Sequence, residues 1–136
     1  AALAAGGEVI GVIPESLMAR ELAHPGLTEL RVTSDLQARK LLMAQLADAF
    51  IVLPGGFGTL DELFEIVSWR QLGLERRRLG LYDTRGYFRH LLGFLDHAVE
   101  EGFILPAERP LVFSSSELDS LLAQLLPEAW PAPQAR

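Results

Sequence analysis

Short β-branched apolar runs alternate with longer stretches of helical periodicity along most of the chain. Residues 8–13, 28–33, 49–53, 79–82 and 110–113 read as buried or half-buried strands, bounded by Pro, Gly or polar clusters. Between them, 15–22 predicts a short helix broken at His24-Pro25-Gly26, and 34–48, 59–71, 87–101 and 115–126 predict longer ones. Ser34 with Gln37 three residues on fits a capping box, while Gly73 and Gly102 stand where helix C-caps belong. The opening Ala1-Ala2-Leu3-Ala4-Ala5-Gly6-Gly7 reads as a last helical turn with a glycine cap. Residues 127–136, with three prolines, predict a flexible tail after a single domain over 1–126.

Strand followed by helix, repeated, predicts an α/β fold: a Rossmann-like parallel sheet with helices on both faces. In such sheets ligands bind beyond the carboxyl ends of the strands, where strand passes to helix. The stretch Pro54-Gly55-Gly56-Phe57-Gly58-Thr59 occupies one such turn. Its glycines let the backbone approach a ligand and supply positive φ without steric cost. The helix start behind it offers unpaired N–H groups and partial positive charge, which suits a phosphate. Gly58 is followed by Thr59-Leu60 rather than Lys-Ser/Thr, so this is no P-loop, and Asp61 stands where G-x-G-x-x-G needs its third glycine. A plain tight turn is the competing reading. Glu62 also reads two ways: with Thr59 it fits a capping box, or it is a catalytic or ribose-binding carboxylate.

Asp61, Glu62 and Glu65 would repel a phosphate, so a cation must offset them. On the 34–48 helix, Leu36, Met43 and Ala47 point in one direction at about 100° per residue. Gln37, Gln45 and Asp48 mark the opposite side, and Arg39 and Lys40 flank the apolar direction. Two cations there call for an anion, or for side chains that snorkel to the helix edge. Both helix starts follow strands of one parallel sheet, so Arg39, Lys40 and the glycine loop are expected to converge on one anion. The Arg76-Arg77-Arg78 run reads as a solvated turn, His90 and His97 as packing or surface residues, and Phe64 and Trp69 as core or subunit contacts.

Composition narrows the chemistry. A net charge of −6 argues against nucleic-acid binding, which usually needs a basic patch. Without cysteine there is no disulfide framework, thiolate metal site or cysteine nucleophile, and His24, His90 and His97 lack metal-ligand spacing. No apolar run approaches the roughly 20 residues of a membrane span, which predicts a cytoplasmic protein without a membrane partner. The basic residues are eleven arginines and one lysine, so any Schiff-base mechanism would have to use Lys40.

Pro54-Gly55-Gly56-Phe57-Gly58-Thr59-Leu60-Asp61-Glu62 resembles the PGGxGTxxE signature of the Lonely-Guy family, cytokinin riboside 5′-monophosphate phosphoribohydrolases long described as lysine decarboxylases. Ser34-Asp35-Leu36-Gln37-Ala38-Arg39-Lys40 is similar to its S-D-M-x-E-R-K segment, and Trp69-Arg70-Gln71-Leu72-Gly73, Gly86-Tyr87-Phe88 and Glu100-Glu101-Gly102-Phe103 to further blocks. The resemblance covers roughly residues 1–126. It implies hydrolysis of the N-glycosidic bond of a nucleoside 5′-monophosphate, with a cytokinin or adenine base, to free base and ribose 5-phosphate. It implies Arg39 and Glu62 as the catalytic pair, and Lys40 with Gly55, Gly56, Phe57, Gly58 and Thr59 as the phosphate site. No cofactor or metal is implied, and assembly is as a homodimer. Three departures stand out: Leu36 and Ala38 replace the segment's Met and Glu, Arg77-Arg78 replaces a Lys-Pro, and the family's first strand and N-terminal glycine-rich segment have no counterpart. An N-terminally truncated fold, or a pocket lacking that part, is therefore expected. The alternative function is a non-catalytic carrier or sensor of a phosphate-bearing, nucleotide-like cofactor, which needs the loop but not the carboxylate.

Overall fold

Every strand pair in the computed structural model is parallel among the described residues, which are 1–18, 24 and 26–126. The chain divides into two compact units, Ala1–Ala47 and Asp48–Arg136. In the first, a 3-10 turn at Leu3–Ala5 is closed by Gly6 at φ 80, the glycine cap expected there. β1 (Ile10–Pro14) then pairs with β2 (Glu29–Thr33), in register from Ile10 opposite Glu29 to Pro14 opposite Thr33. α1 (Leu36–Leu46) packs on both strands. Ile13, Pro14, Thr33 and Ala44 are the buried residues among those described in this unit.

The second unit carries a three-stranded sheet ordered β3 (Phe50–Val52), β4 (Leu79–Tyr82), β5 (Phe113–Ser115). α2 (Phe57–Gln71), α3 (Arg89–Glu100) and α4 (Leu118–Leu125) complete it. The middle strand explains the layering. Side chains alternate across a strand, and a Cβ on Gly80 would meet Leu121 Cδ1 of α4 at 2.7 Å and the Phe113 ring at 2.8 Å. Gly80 therefore faces α4, while Leu79 and Leu81, 1% and 0% exposed, point to the other face. Both faces of β4 are covered, which is why the strand is apolar without alternation. Leu63 on α2, Leu121 on α4 and Phe88 are also essentially fully buried, each contributing roughly 1.5–3 kcal/mol of burial.

The architecture is thus α/β and Rossmann-like, as the alternation predicted, but among the described residues its parallel strands form two sheets rather than the one expected, and several boundaries differ. The 15–22 helix is a 3-10 turn at Glu15–Leu17, and residues 19–22 and Pro25 lie outside the described residues, as does the 127–136 tail. α3 begins at Arg89 rather than 87, because Arg85 and Gly86 at φ 58 and 68 interrupt the helical path. The last strand is Phe113–Ser115 instead of 110–113, since Pro110 sits in a 3-10 turn at Arg109–Leu111. α4 correspondingly starts at Leu118, not 115. Gly73 and Gly102 close α2 and α3 with φ 73 and 79, as expected. No helix of the described residues is long and apolar enough to cross a membrane.

Candidate functional site

β3 delivers the chain to Pro54-Gly55-Gly56, and α2 begins immediately, at Phe57. The helix start is two residues earlier than the 59–71 reading. Gly56 is the N-cap, without a side chain to cap, and its carbonyl takes the first helical bond from Leu60 N at 3.1 Å. Two consequences follow. Thr59 lies inside the first turn, so Thr59 and Glu62 do not hold the N-cap and N3 positions of a capping box. The first four amides of this helix, Gly56 to Thr59, have no acceptor within the helix itself.

The loop glycines work through space rather than through left-handed backbone. None of Gly55, Gly56 and Gly58 is among the positive-φ glycines, which corrects the expectation that they supply that conformation. A Cβ on Gly55 would lie 2.1 Å from Thr59 Oγ1 and 2.9 Å from Thr59 Cβ, so the turn closes tightly there. Cβ atoms on Gly56 and Gly58 would meet nothing within 4 Å, so there is open space beside both residues at the helix start. Phe57 between them is 92% exposed. Glu62, half-buried, is one turn further along. It does not line the open groove of about 530 Å³ on α2, which is formed by Phe57, Leu60, Asp61, Phe64, Glu65 and Ser68.

In the first unit, α1 is capped by Asp35 rather than Ser34. Asp35 Oδ1 accepts from Ala38 N at 2.8 Å, and Ser34 Oγ donates to Asp35 Oδ2 at 3.0 Å. The Ala38 amide first, then the Ser34 hydroxyl, hold the Asp35 carboxyl below the usual range. Arg39 and Lys40 follow in the first turns and are half-buried. The apolar direction read from the sequence is not the buried one: Leu36 and Met43 are 53% and 36% exposed, and Ala44 is the buried position. Arg39 and Lys40 belong to the first unit, the loop and Glu62 to the second.

The remaining candidates are structural. Glu75, buried, accepts from the amides of Arg76 and Arg77 at 2.8 Å and from Arg77 Nε at 2.9 Å. Burial pushes its carboxyl up, but the Arg77 and Arg76 amides and the Arg77 guanidinium outweigh this and hold it low. Arg77 also stands 5.8 Å from the Phe50 ring centroid, and Arg78 Nη1 donates to Gln124 O at 2.5 Å. Within the run, Arg77 faces β3 and Arg78 reaches α4, while Arg76 is exposed as a solvated turn would be. His90 is exposed, and His97 lies 3.7 Å from Glu100 at the surface. One residue, matched only within the Gly86-Tyr87-Phe88 block, was not read as belonging to the site: Tyr87, whose hydroxyl donates to the Gly55 carbonyl at 2.6 Å. Its signal was a phenol just past the carboxyl end of β4, the strand beside the one that leads into the loop.

Comparison with known proteins places this frame. A family model described as "possible lysine decarboxylase" matches residues 1–125. A cytokinin riboside 5′-monophosphate phosphoribohydrolase of Rhodococcoides fascians is 49% identical over 126 residues, covering 92% of this chain and 64% of that protein. Those named LOG7 and LOG3 in Arabidopsis thaliana are both 47% identical over 120 residues, covering 88% of this chain and 55% and 56% of theirs. The chain thus spans somewhat over half the length of the relatives it matches. With the family model running through its strands, its glycine loop and Glu62, the chain belongs to the Lonely-Guy family, the one that carries the lysine decarboxylase description.

Proposed function

We propose that this chain serves the hydrolysis of the N-glycosidic bond of a nucleoside 5′-monophosphate, of the cytokinin riboside or adenosine type. The observation that carries the reading is the uncapped start of α2 with open space at Gly56 and Gly58 and a carboxylate, Glu62, one turn on. The amides of Gly56 to Thr59 are oriented as an anion site, and the helix start adds partial positive charge. Gly55 and Phe57 shape the loop, and the family resemblance assigns Lys40 to the phosphate. The relatives' names give the same substrate class.

In the reaction, the bond from ribose C1′ to the base nitrogen breaks with its electron pair leaving on the base. Water supplies hydroxide to C1′, and the remaining proton ends on the base. The ribose passes through an oxocarbenium-like state, whose positive charge the Glu62 carboxylate stabilises while it orients the water. The family resemblance assigns Arg39 to polarising the departing base or holding the phosphate. Lysine decarboxylation is disfavoured, because the one lysine, Lys40, is assigned to the anion.

The test is to incubate the full-length protein with AMP and with cytokinin riboside monophosphates, and to assay free base and ribose 5-phosphate. Release of both from the monophosphates, but not from the corresponding nucleosides, is the expected result. Binding of monophosphates without base release would favour the carrier or sensor reading. The same proposal includes a homodimer that covers one face of α2, supported by Phe57 at 92% and Phe64 at 36% exposure along it. Sedimentation as a monomer at micromolar concentration would remove that part.

A further inference from the structure

After β4 the chain makes a turn in which Arg85 and Gly86 are both left-handed, at φ 58 and 68. A residue with a Cβ adopts that conformation only when its surroundings hold it there. Asp83 does the holding: its Oδ1 accepts from Phe88 N at 2.7 Å, and its own N–H donates to Ser115 O of β5 at 2.9 Å. Phe88 is 1% exposed, and its ring meets that of Tyr87 edge-on, with centroids 5.0 Å apart at 90°. The strained turn, anchored on the sheet and in the core, therefore delivers Tyr87 to one place. There its hydroxyl donates to the Gly55 carbonyl at 2.6 Å, across 32 residues of sequence. Tyr87 is 53% exposed, so water was open to this hydroxyl as a partner and burial does not account for the bond.

The Gly55 carbonyl and the Gly56 N–H are the two ends of one planar trans peptide, and they point in opposite directions. A donor that fixes the carbonyl fixes the direction of the N–H. By polarising the amide, it also makes that N–H a stronger donor. On its Cβ side Gly56 is uncrowded, with no atom within 4 Å of a Cβ built there. We infer that Tyr87 is a positioning residue that aims the Gly56 amide at the bound phosphate. The inference rests on the phosphate-site reading given above.

The test compares the full chain with its Tyr87→Phe variant, which loses the hydroxyl and keeps the ring. Inorganic phosphate and AMP are titrated while the backbone amides of Gly56 to Thr59 are followed by NMR, and kcat, KM and thermal stability are measured alongside. In the variant, affinity for both ligands is expected to fall about 3- to 10-fold, the range for one hydrogen bond, with KM rising in step. The Gly56 amide should show the largest change, with kcat and melting temperature near those of the wild type. Wild-type loop amides that ignore phosphate would remove the phosphate site, and this inference with it. Amides that respond to phosphate with the same constant in both proteins would overturn the positioning role alone. So would a variant that melts well below the wild type and loses AMP and adenosine affinity alike.

Discussion

Replacing Glu62 by Gln is expected to lower kcat on a nucleoside monophosphate by about 10²–10³, roughly 3–4 kcal/mol, with affinity changed only a few-fold. Gln keeps the shape and much of the hydrogen-bonding capacity, and removes only the negative charge that matches an oxocarbenium-like ribose. Affinity should survive because the phosphate is assigned to the loop amides and not to this side chain. The position of the helix start sharpens the experiment. α2 begins at Phe57 with Gly56 as its cap, so Glu62 does not occupy the capping-box site that would have made it a mere stabiliser of the helix end. Arg39→Ala serves as the companion variant, expected to reduce both kcat and affinity. A normally folded Glu62→Gln protein that turns over at close to the wild-type rate would return this carboxylate to a structural role.

The second large effect is expected at Gly55. An alanine Cβ there would stand 2.1 Å from Thr59 Oγ1, 2.9 Å from Thr59 Cβ and 3.3 Å from Thr59 Cγ2. Turning Thr59 about χ1 moves its oxygen away but leaves its Cβ in place, still 2.9 Å from the added carbon. The loop or the first turn of α2 must therefore shift. Misplacement of a binding group by about 1 Å can cost on the order of 10² in rate. Gly55→Ala is accordingly expected to lose about that factor in kcat/KM, mostly through KM, while the protein still unfolds cooperatively. Kinetics unchanged from the wild type would show that the loop geometry is not what binds the substrate.

Much of this was legible in the sequence where local chemistry and tertiary demand coincide. The apolar β4 run, the glycine caps at Gly73 and Gly102, and the glycine loop between a strand and a helix all fall where the periodicity placed them. The misreadings have physical causes. Ser34 and Asp35 are adjacent cap formers, and the carboxylate took the cap while the hydroxyl was left to support it. Phe113–Ser115 carries two serines and was hidden as a strand, while the more apolar 110–113 begins with a proline that belongs to a turn. On α1, apolar side chains lie on more than one face, so their mean direction did not report that Ala44 is the buried one. The contact of Tyr87 with the loop was missed, although its block was matched, because its partner is a main-chain carbonyl 32 residues away and no local pattern encodes such a bond.

The tight seat of Gly80 has a bearing on how this chain can diverge. Its missing side chain is what lets Leu121 and the Phe113 ring close over the middle of the sheet. Any larger residue at 80 must displace both Leu121 and the Phe113 ring, an overpacking of about 1–3 kcal/mol, unless positions 121 and 113 both shrink in compensation. These three positions are therefore coupled in one direction: a lineage that enlarges residue 80 is channelled toward trimming 113 and 121.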